Sequence, residues 1–255
     1  MKETILFNQK FISATTTEIL EFVENELIDS NKAKIISAIN VYLITLCYQK
    51  KEISDFYNHC DIVTVDGRPL VYISKLFSKY SFPEMVGGPN LWTNLLDRGS
   101  KKNRTFYFIG STEETLIRAI LNIKKLFDNI NIVGSHHGYF EINGIICSEV
   151  VDEIKRLKPD FIFIGTSSPK KEYFAEILKT NIDSGIIVLI GGAFDLFAGE
   201  KKIGNELTSK LCLDWLLRLL QEPQRLGWRY LRSNTIFILM LINELFKRIK
   251  YFLIK

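Results

Sequence analysis

The chain has 255 residues, 47% of them hydrophobic and 24% charged, with a formal net charge of +4. It is long enough for one large domain that buries a core without metal or disulfide support. Cys47, Cys60, Cys147 and Cys212 lie far apart with no CxxC pair, which argues against a zinc site and a disulfide framework and makes a reducing compartment the expectation. The opening MKETILFNQKFIS holds no long apolar stretch or small-residue cleavage site, so no signal peptide is expected.

In chain order, short apolar runs alternate with helical patterns. Strands are expected at Lys34–Asn40, Asp61–Val65, Thr105–Ile109, Ile130–Val133, Phe161–Gly165 and Ile186–Gly191. Most lack polar alternation, as strands covered on both faces do. Helices are expected at Val41–Asn58, Leu70–Lys79, Pro89–Arg98, Thr112–Phe127, Cys147–Leu157 and Pro169–Thr180. This alternation predicts an α/β fold, a Rossmann-like and mainly parallel sheet with helices on both faces, over residues 1–200. Ligands of such sheets bind beyond the carboxyl ends of the strands. That rule selects Asn40, Asp66 with Gly67, Gly110 with Ser111, Gly134 to His137, Thr166 to Lys170, and Gly191 to Asp195.

Residues 201–255 break the pattern. They read as helices only, restarted at Pro223, and form a C-terminal appendage. Its eleven Lys or Arg stand against four Asp or Glu, so the appendage is basic while the remainder is mildly acidic. An anionic partner is implied. The apolar run Thr235–Ile242 is cut short by Asn243 and Glu244 and followed by Lys247, Arg248 and Lys250. Spanning a bilayer takes about 20 apolar residues. The tail is therefore expected to lie in an anionic membrane interface as a basic amphipathic helix; docking on the protein's own core or in a dimer interface is the competing reading.

Four stretches could carry chemistry. In DIVTVDGRPLVY, Asp66 sits at a strand end, where it is either a helix N-cap, with Pro69 early in the next helix, or a carboxylate held at the ligand edge. In GTSSPKKE, residues 165–172, small residues lead to Pro169 near a helix start, leaving backbone N–H groups free for phosphate; a plain capped helix is the alternative. Neither GxxxxGK[ST] nor GxGxxG occurs, which weighs against ATP hydrolysis and nicotinamide-dependent oxidoreduction. In GGAFDLFAGE, Gly191 and Gly192 permit close approach to a ligand, and Asp195 either caps a helix or holds a hydroxyl. His136 and His137 are adjacent and point differently, so they do not make a metal pair. With no acidic DxD pair nearby, a metal-free site is expected. Arg218, Arg225, Arg229 and Arg232 share a broad face if helical, suited to bidentate phosphate recognition or to a solvated basic surface.

Taken together, ISAIN, DIVTVDGRPLVY, VGGPNLW, FIFIGTSSPKKE, IGGAFDLFAGE and DWLLRLLQEPQRLGWRYL resemble the WecG/TagA/CpsF glycosyltransferase family (glycosyltransferase family 26), in family order from about residue 35 to 235. The resemblance implies inverting, metal-independent transfer of N-acetylmannosamine or a related hexose. The donor would be a UDP-sugar and the acceptor an undecaprenyl-diphosphate-linked sugar, in teichoic acid or other surface-polysaccharide synthesis. It implies a peripheral protein at the cytoplasmic face of the bacterial membrane, with no cofactor and no nucleic-acid partner; a homo-oligomer is compatible with it. Asp66 falls on the family's proposed general base and Asn40 on a site asparagine, and Arg218 and Arg225 are the arginines expected to reach the diphosphate. Gly67, Arg68, Gly88, Asn90, Gly110, His137, Ser168, Pro169, Lys170, Lys171, Gly191, Gly192 and Asp195 complete the expected substrate-binding set. Two positions depart from the family pattern: Lys171 replaces a common glutamine, and Met85 a common arginine. A catalytically idle, nucleotide-binding partner of a membrane polysaccharide-synthesis complex is the alternative to an enzyme.

Overall fold

The computed structural model describes residues 1–201, 208 and 210–254, with side chains to Lys250. Its centre is a six-stranded, wholly parallel sheet. The strands are β3 (Lys34–Ile39), β4 (Ile62–Val65), β5 (Thr105–Gly110), β6 (Asn131–His136), β7 (Phe161–Gly165) and β8 (Ile186–Leu189), in the spatial order β4-β3-β8-β7-β5-β6. Before it comes an antiparallel hairpin, β1 (Lys2–Leu6) and β2 (Gln9–Ser13).

Alternate side chains of each strand feed two cores. Ile35, Ile39, Tyr107, Ile109, Ile162, Ile164, Ile187 and Leu189 face one side. There they meet α2 (Val41–Gln49), α3 (Lys51–Asn58), α4 (Arg68–Phe77), α7 (Ile145–Leu157) and α8 (Lys170–Asn181). The opposite face is aromatic. Phe106 stacks on Phe161 with centroids 5.3 Å apart, and Phe108 meets Phe163 edge-on at 5.7 Å. α1 (Thr16–Phe22), which runs on through a π-helical turn at Val23–Leu27, covers this layer together with α5 (Gly88–Lys101), α6 (Glu113–Leu126) and α9 (Ala193–Phe197). Helices thus lie on both faces, as the alternation requires.

The expected helix 41–58 is two helices, because Lys50 is extended (φ −129°, ψ 108°) and ends α2 before α3 begins. The hairpin and α1 were not among the expected elements. Thr15 and Glu18 cap α1 reciprocally, while Phe7 and Asn8 form the hairpin turn at φ 51° and 60°. After residue 210 the chain is helical: α10 (Asp214–Gln221) and α11 (Pro223–Ile254). Leu226, Ser233, Phe237 and Met240 form a buried stripe along α11, and Phe237 packs edge-on against Phe7 at 5.5 Å. The opposite stripe, including Trp228, Leu231, Ile238, Ile242, Phe246 and Ile249, is exposed. No helix among the described residues is long and apolar enough to cross a membrane.

Candidate active site

The strand register builds the site. Ile39 lies opposite Val65, and the Asp66 N–H donates to the Ile39 carbonyl at 2.9 Å, so Asn40 and Asp66 leave the sheet side by side. The other strands end at the same rim, with Gly110 opposite Gly165 and Ile164 opposite Leu189. Above this rim is a cleft of about 630 Å³ whose far wall comes from α10 and α11. That volume suits a small-molecule substrate.

Asp66 does not act as the cap of α4. The N-cap is Gly67, which makes no side-chain capping bond. Asn40 does cap: its Oδ1 accepts from the Leu43 N–H at 3.1 Å. Its side chain also hydrogen-bonds the Asp66 carboxylate, a task left to the amide NH₂. Two glycines press on Asp66 from the start of α5. A Cβ on Gly87 would come within 2.9 Å of Asp66 Cβ. Gly88 has φ +58°, and a Cβ there would lie 3.4 Å from Asp66 Oδ1. Only a residue without Cβ meets both demands cheaply.

Burial pushes the Asp66 pKa above its ordinary value. The Arg218 charge opposes that most, followed by the Asn40 hydrogen bond and Lys171, while Asp214 adds to it. A carboxylate whose burial strengthens its hold on a proton, beside cations that favour its charged form, has the character of a general base.

Around Asp66 the cleft is lined by polar groups fixed from behind. Ser168 Oγ and the Tyr57 hydroxyl both donate to Glu172 Oε1, at 2.7 and 2.6 Å. Glu172 is buried, and Lys171 Nζ stands 3.8 Å from the same oxygen. Lys170 donates to the carbonyls of Gly138 (2.9 Å) and Phe140, and burial lowers its pKa. On the opposite wall a relay of charges joins sheet to appendage. Ser111 Oγ donates to Asp195 at 2.9 Å, Asp195 pairs with Lys201, Lys201 reaches Glu222 at 3.3 Å, and Glu222 pairs with Arg225. The Arg229 guanidinium lies 4.8 Å from the Tyr42 ring centroid and 5.5 Å from that of Tyr230.

Of the expected residues, Asn40, Asp66, Gly88, Ser168, Lys170, Lys171, Gly191, Gly192, Asp195, Arg218 and Arg225 line this cleft. Six lie outside its lining. Gly67 caps α4 and Arg68 is its first residue. Asn90 accepts from Asn94 within α5. Gly110 (φ +151°) lies so close to β7 that a Cβ would come 2.6 Å from the Gly165 backbone, which assigns it to strand packing. His137 is against His136, with centroids 4.4 Å apart, and its Nδ1 accepts from the Tyr139 N–H at 3.2 Å. Pro169 is the N-cap of α8, one residue before the helix starts. Among the two family departures, Lys171 is in the lining, whereas Met85 packs on the core. Tyr42, Trp92, Gly138, Tyr139, Lys201, Glu222 and Tyr230 line the cleft without having been foreseen. Among the described residues no group of three or more His, Cys, Asp or Glu side chains is placed to hold a metal ion.

A family model described as glycosyl transferase WecG/TagA/CpsF family matches residues 4–251. Among curated relatives, an N-acetylglucosaminyldiphosphoundecaprenol N-acetyl-beta-D-mannosaminyltransferase of Bacillus spizizenii is 28% identical, over 92% of this chain and 88% of its own. Proteins of the same name from Bacillus subtilis and Staphylococcus aureus are 22% and 26% identical, over 96% and 87% of this chain and 93% and 86% of theirs. Each of these names denotes a transferase, and none describes a catalytically idle partner.

Proposed function

The chain belongs to the WecG/TagA/CpsF family of glycosyl transferases, and from that premise we propose that it moves N-acetylmannosamine or a related hexose from a UDP-sugar to an undecaprenyl-diphosphate-linked N-acetylglucosamine. The acceptor and the sugar follow the names of the relatives. The UDP donor, inversion and independence of metal are this reading's own. Residues 1–200 supply the base and the donor loops; residues 201–255 supply the cationic wall.

The observation that carries the reading is the meeting of Asp66 with Arg218 and Arg225 in one cleft. The acceptor hydroxyl oxygen attacks the anomeric carbon from the face opposite the leaving group, hence with inversion. Asp66 takes the hydroxyl proton as the new C–O bond forms. The bond from the anomeric carbon to the phosphate oxygen breaks, and its electron pair departs with UDP. Arg218 and Arg225, with N–H groups near Ser168, are the donors placed to offset the charge gathering on that diphosphate. Asn40 holds the carboxylate in register.

The test is incubation with UDP-N-acetylmannosamine and undecaprenyl-diphosphate-N-acetylglucosamine, with UDP release and product anomeric configuration read together. Inverted disaccharide product with UDP in equal amount is expected, and its yield should be unchanged by EDTA. Neither UDP release nor product with any of a panel of UDP-hexoses would overturn the proposal.

The reading also places the protein at the cytoplasmic face of the membrane, held by the appendage. Supporting this is the exposed apolar stripe of α11 beside Lys247, Arg248 and Lys250. Deleting α11 would remove Phe237 and Met240 from the core. The fitting test is therefore Ile242→Glu with Phe246→Glu, which changes only exposed positions and should abolish binding to anionic vesicles.

A further inference from the structure

Helix α4 follows Asp66 and its N-cap Gly67, and Leu70, Val71 and Ser74 bury its inner side. Its outer side is unusual for a solvated helix. Tyr72 and Leu76, one turn apart, are 44% and 62% exposed, and Lys75 holds its ammonium 5.9 Å from the Tyr72 ring centroid. A lone exposed leucine signifies nothing. The position of this face does. The Tyr72 hydroxyl donates to the Lys210 carbonyl at 3.4 Å, and the Arg248 guanidinium lies 5.2 Å from the Phe77 ring centroid. Helix α4 therefore touches the appendage at its middle, near residue 210, and at its carboxyl end, near residue 248. The Phe77–Arg248 contact sets α4 beside the stretch of α11 whose Ile242, Leu245, Phe246 and Ile249 are exposed.

The charge around this joined surface has one sign. Lys75 and Lys79 lie on or just after α4, Lys247, Arg248 and Lys250 on α11, and the one carboxylate on that stretch of α11, Glu244, is paired with Lys247 at 2.6 Å. Apolar and aromatic side chains ringed by cations match an interface of anionic headgroups over acyl chains. They match a second protein surface less well, since such interfaces are depleted in lysine.

We infer that α4 is a second membrane-contacting element, and that its Tyr72–Leu76 face and the outward stripe of α11 form one continuous footprint on an anionic bilayer. The inference rests on the membrane reading given above and extends it from the appendage to the catalytic portion. Its consequence is geometric: the helix that follows the Asp66 loop lies against the lipid surface, so the base is held at a fixed height above the headgroups.

The test uses the full-length protein and co-sedimentation with vesicles of phosphatidylglycerol and phosphatidylcholine, with phosphatidylcholine vesicles alone for comparison. Tyr72→Ser with Leu76→Ser should weaken binding to the anionic vesicles roughly tenfold, the scale of two partly inserted apolar side chains. Thermal midpoint and transfer to a short-chain, water-soluble acceptor should change little, since Leu76 is exposed and Tyr72 gives up one long, exposed hydrogen bond of 3.4 Å to the Lys210 carbonyl. Lys75→Glu with Lys79→Glu should weaken binding to the anionic vesicles alone. Wild-type vesicle binding by the α4 variants, while Ile242→Glu with Phe246→Glu is released, would overturn the inference and leave the membrane reading standing. Failure of the wild-type protein to bind would overturn both. A changed oligomeric state in the α4 variants with vesicle binding intact would assign the face to a second copy instead.

Discussion

Asn40 performs two tasks with one amide, and substitution can separate them. In Asn40→Asp the capping oxygen is retained, since Asn and Asp are equivalent N-caps, but the NH₂ that meets Asp66 becomes a second carboxylate. Two carboxylates sharing a site raise the pKa of one of them, so the acid limb of kcat/KM should move to higher pH with thermal stability nearly unchanged. In Asn40→Ala both tasks fail. Loss of the cap costs about 1 kcal/mol, which in a chain of this size lowers the melting midpoint by about 2–4 °C. Loss of a hydrogen bond to a charged group costs the ionised Asp66 about 1.5–3 kcal/mol. At a pH where ionisation limits the rate, that is a roughly ten- to hundredfold fall. The assay is UDP release over a pH series, run beside thermal unfolding of the same samples. An Asn40→Asp enzyme whose acid limb coincides with wild type would refute the argument, because it would separate Asn40 from the ionisation of the base.

Four further outcomes follow from the same geometry. Asp66→Asn should lower kcat by about 10²–10⁴-fold with donor binding retained, and full activity would remove Asp66 from the base role. The same variant should melt at a higher temperature near neutral pH. The folded protein raises the Asp66 pKa, so it binds that proton more tightly than the unfolded chain, and stability declines as pH rises from the unfolded carboxylate value through the folded one. Differential scanning calorimetry at acidic and neutral pH checks the sign. Arg218→Ala should reduce kcat more than donor affinity and also shift the acid limb upward, because Arg218 is the largest of the influences holding Asp66 ionised; unchanged kinetics would reject it. Gly88→Ala forces a side chain into the left-handed region beside Asp66 Oδ1. It should cost about 1–2 kcal/mol together with turnover, and a variant wild-type in both melting and rate would contradict the close-packing argument.

The parallel sheet was legible because most of its strands are apolar runs with no competing period, Ile162 and Val188 being wholly buried; the edge strand β6 (NIVGSH), with no buried residue, was the weakest of these signals. The hairpin was less so: its strands are five residues each, and Thr4, Leu6 and Phe11 are the inward members of a short alternation. Its turn uses Phe7 and Asn8 rather than a glycine pair. The Thr15–Glu18 box was present in the sequence as a start signal for α1, but a seven-residue helix offers little periodicity behind it. In the site, Asn40, Asp66 and Asp195 could be found because position after a strand is a local property. Lys201, Glu222 and Tyr230 could not, since what puts them opposite Asp66 is the docking of α10 and α11 across the rim. The tail shows the same limit. Its composition set membrane interface against self-docking as alternatives, and α11 instead has two stripes, one buried on the core and one facing out.

The relay from Ser111 through Asp195, Lys201 and Glu222 to Arg225 imposes an order on the making of the enzyme. Asp66 and the loops at the strand ends come from the first 200 residues, while Arg218 and Arg225 are made after them. A growing chain therefore carries an aspartate beside an open rim and has no cationic wall until α10 and α11 have docked. In chronological terms the wall works as a late checkpoint: on the proposed reading, a diphosphate meets Arg218 and Arg225 only after α10 and α11 have been made and docked.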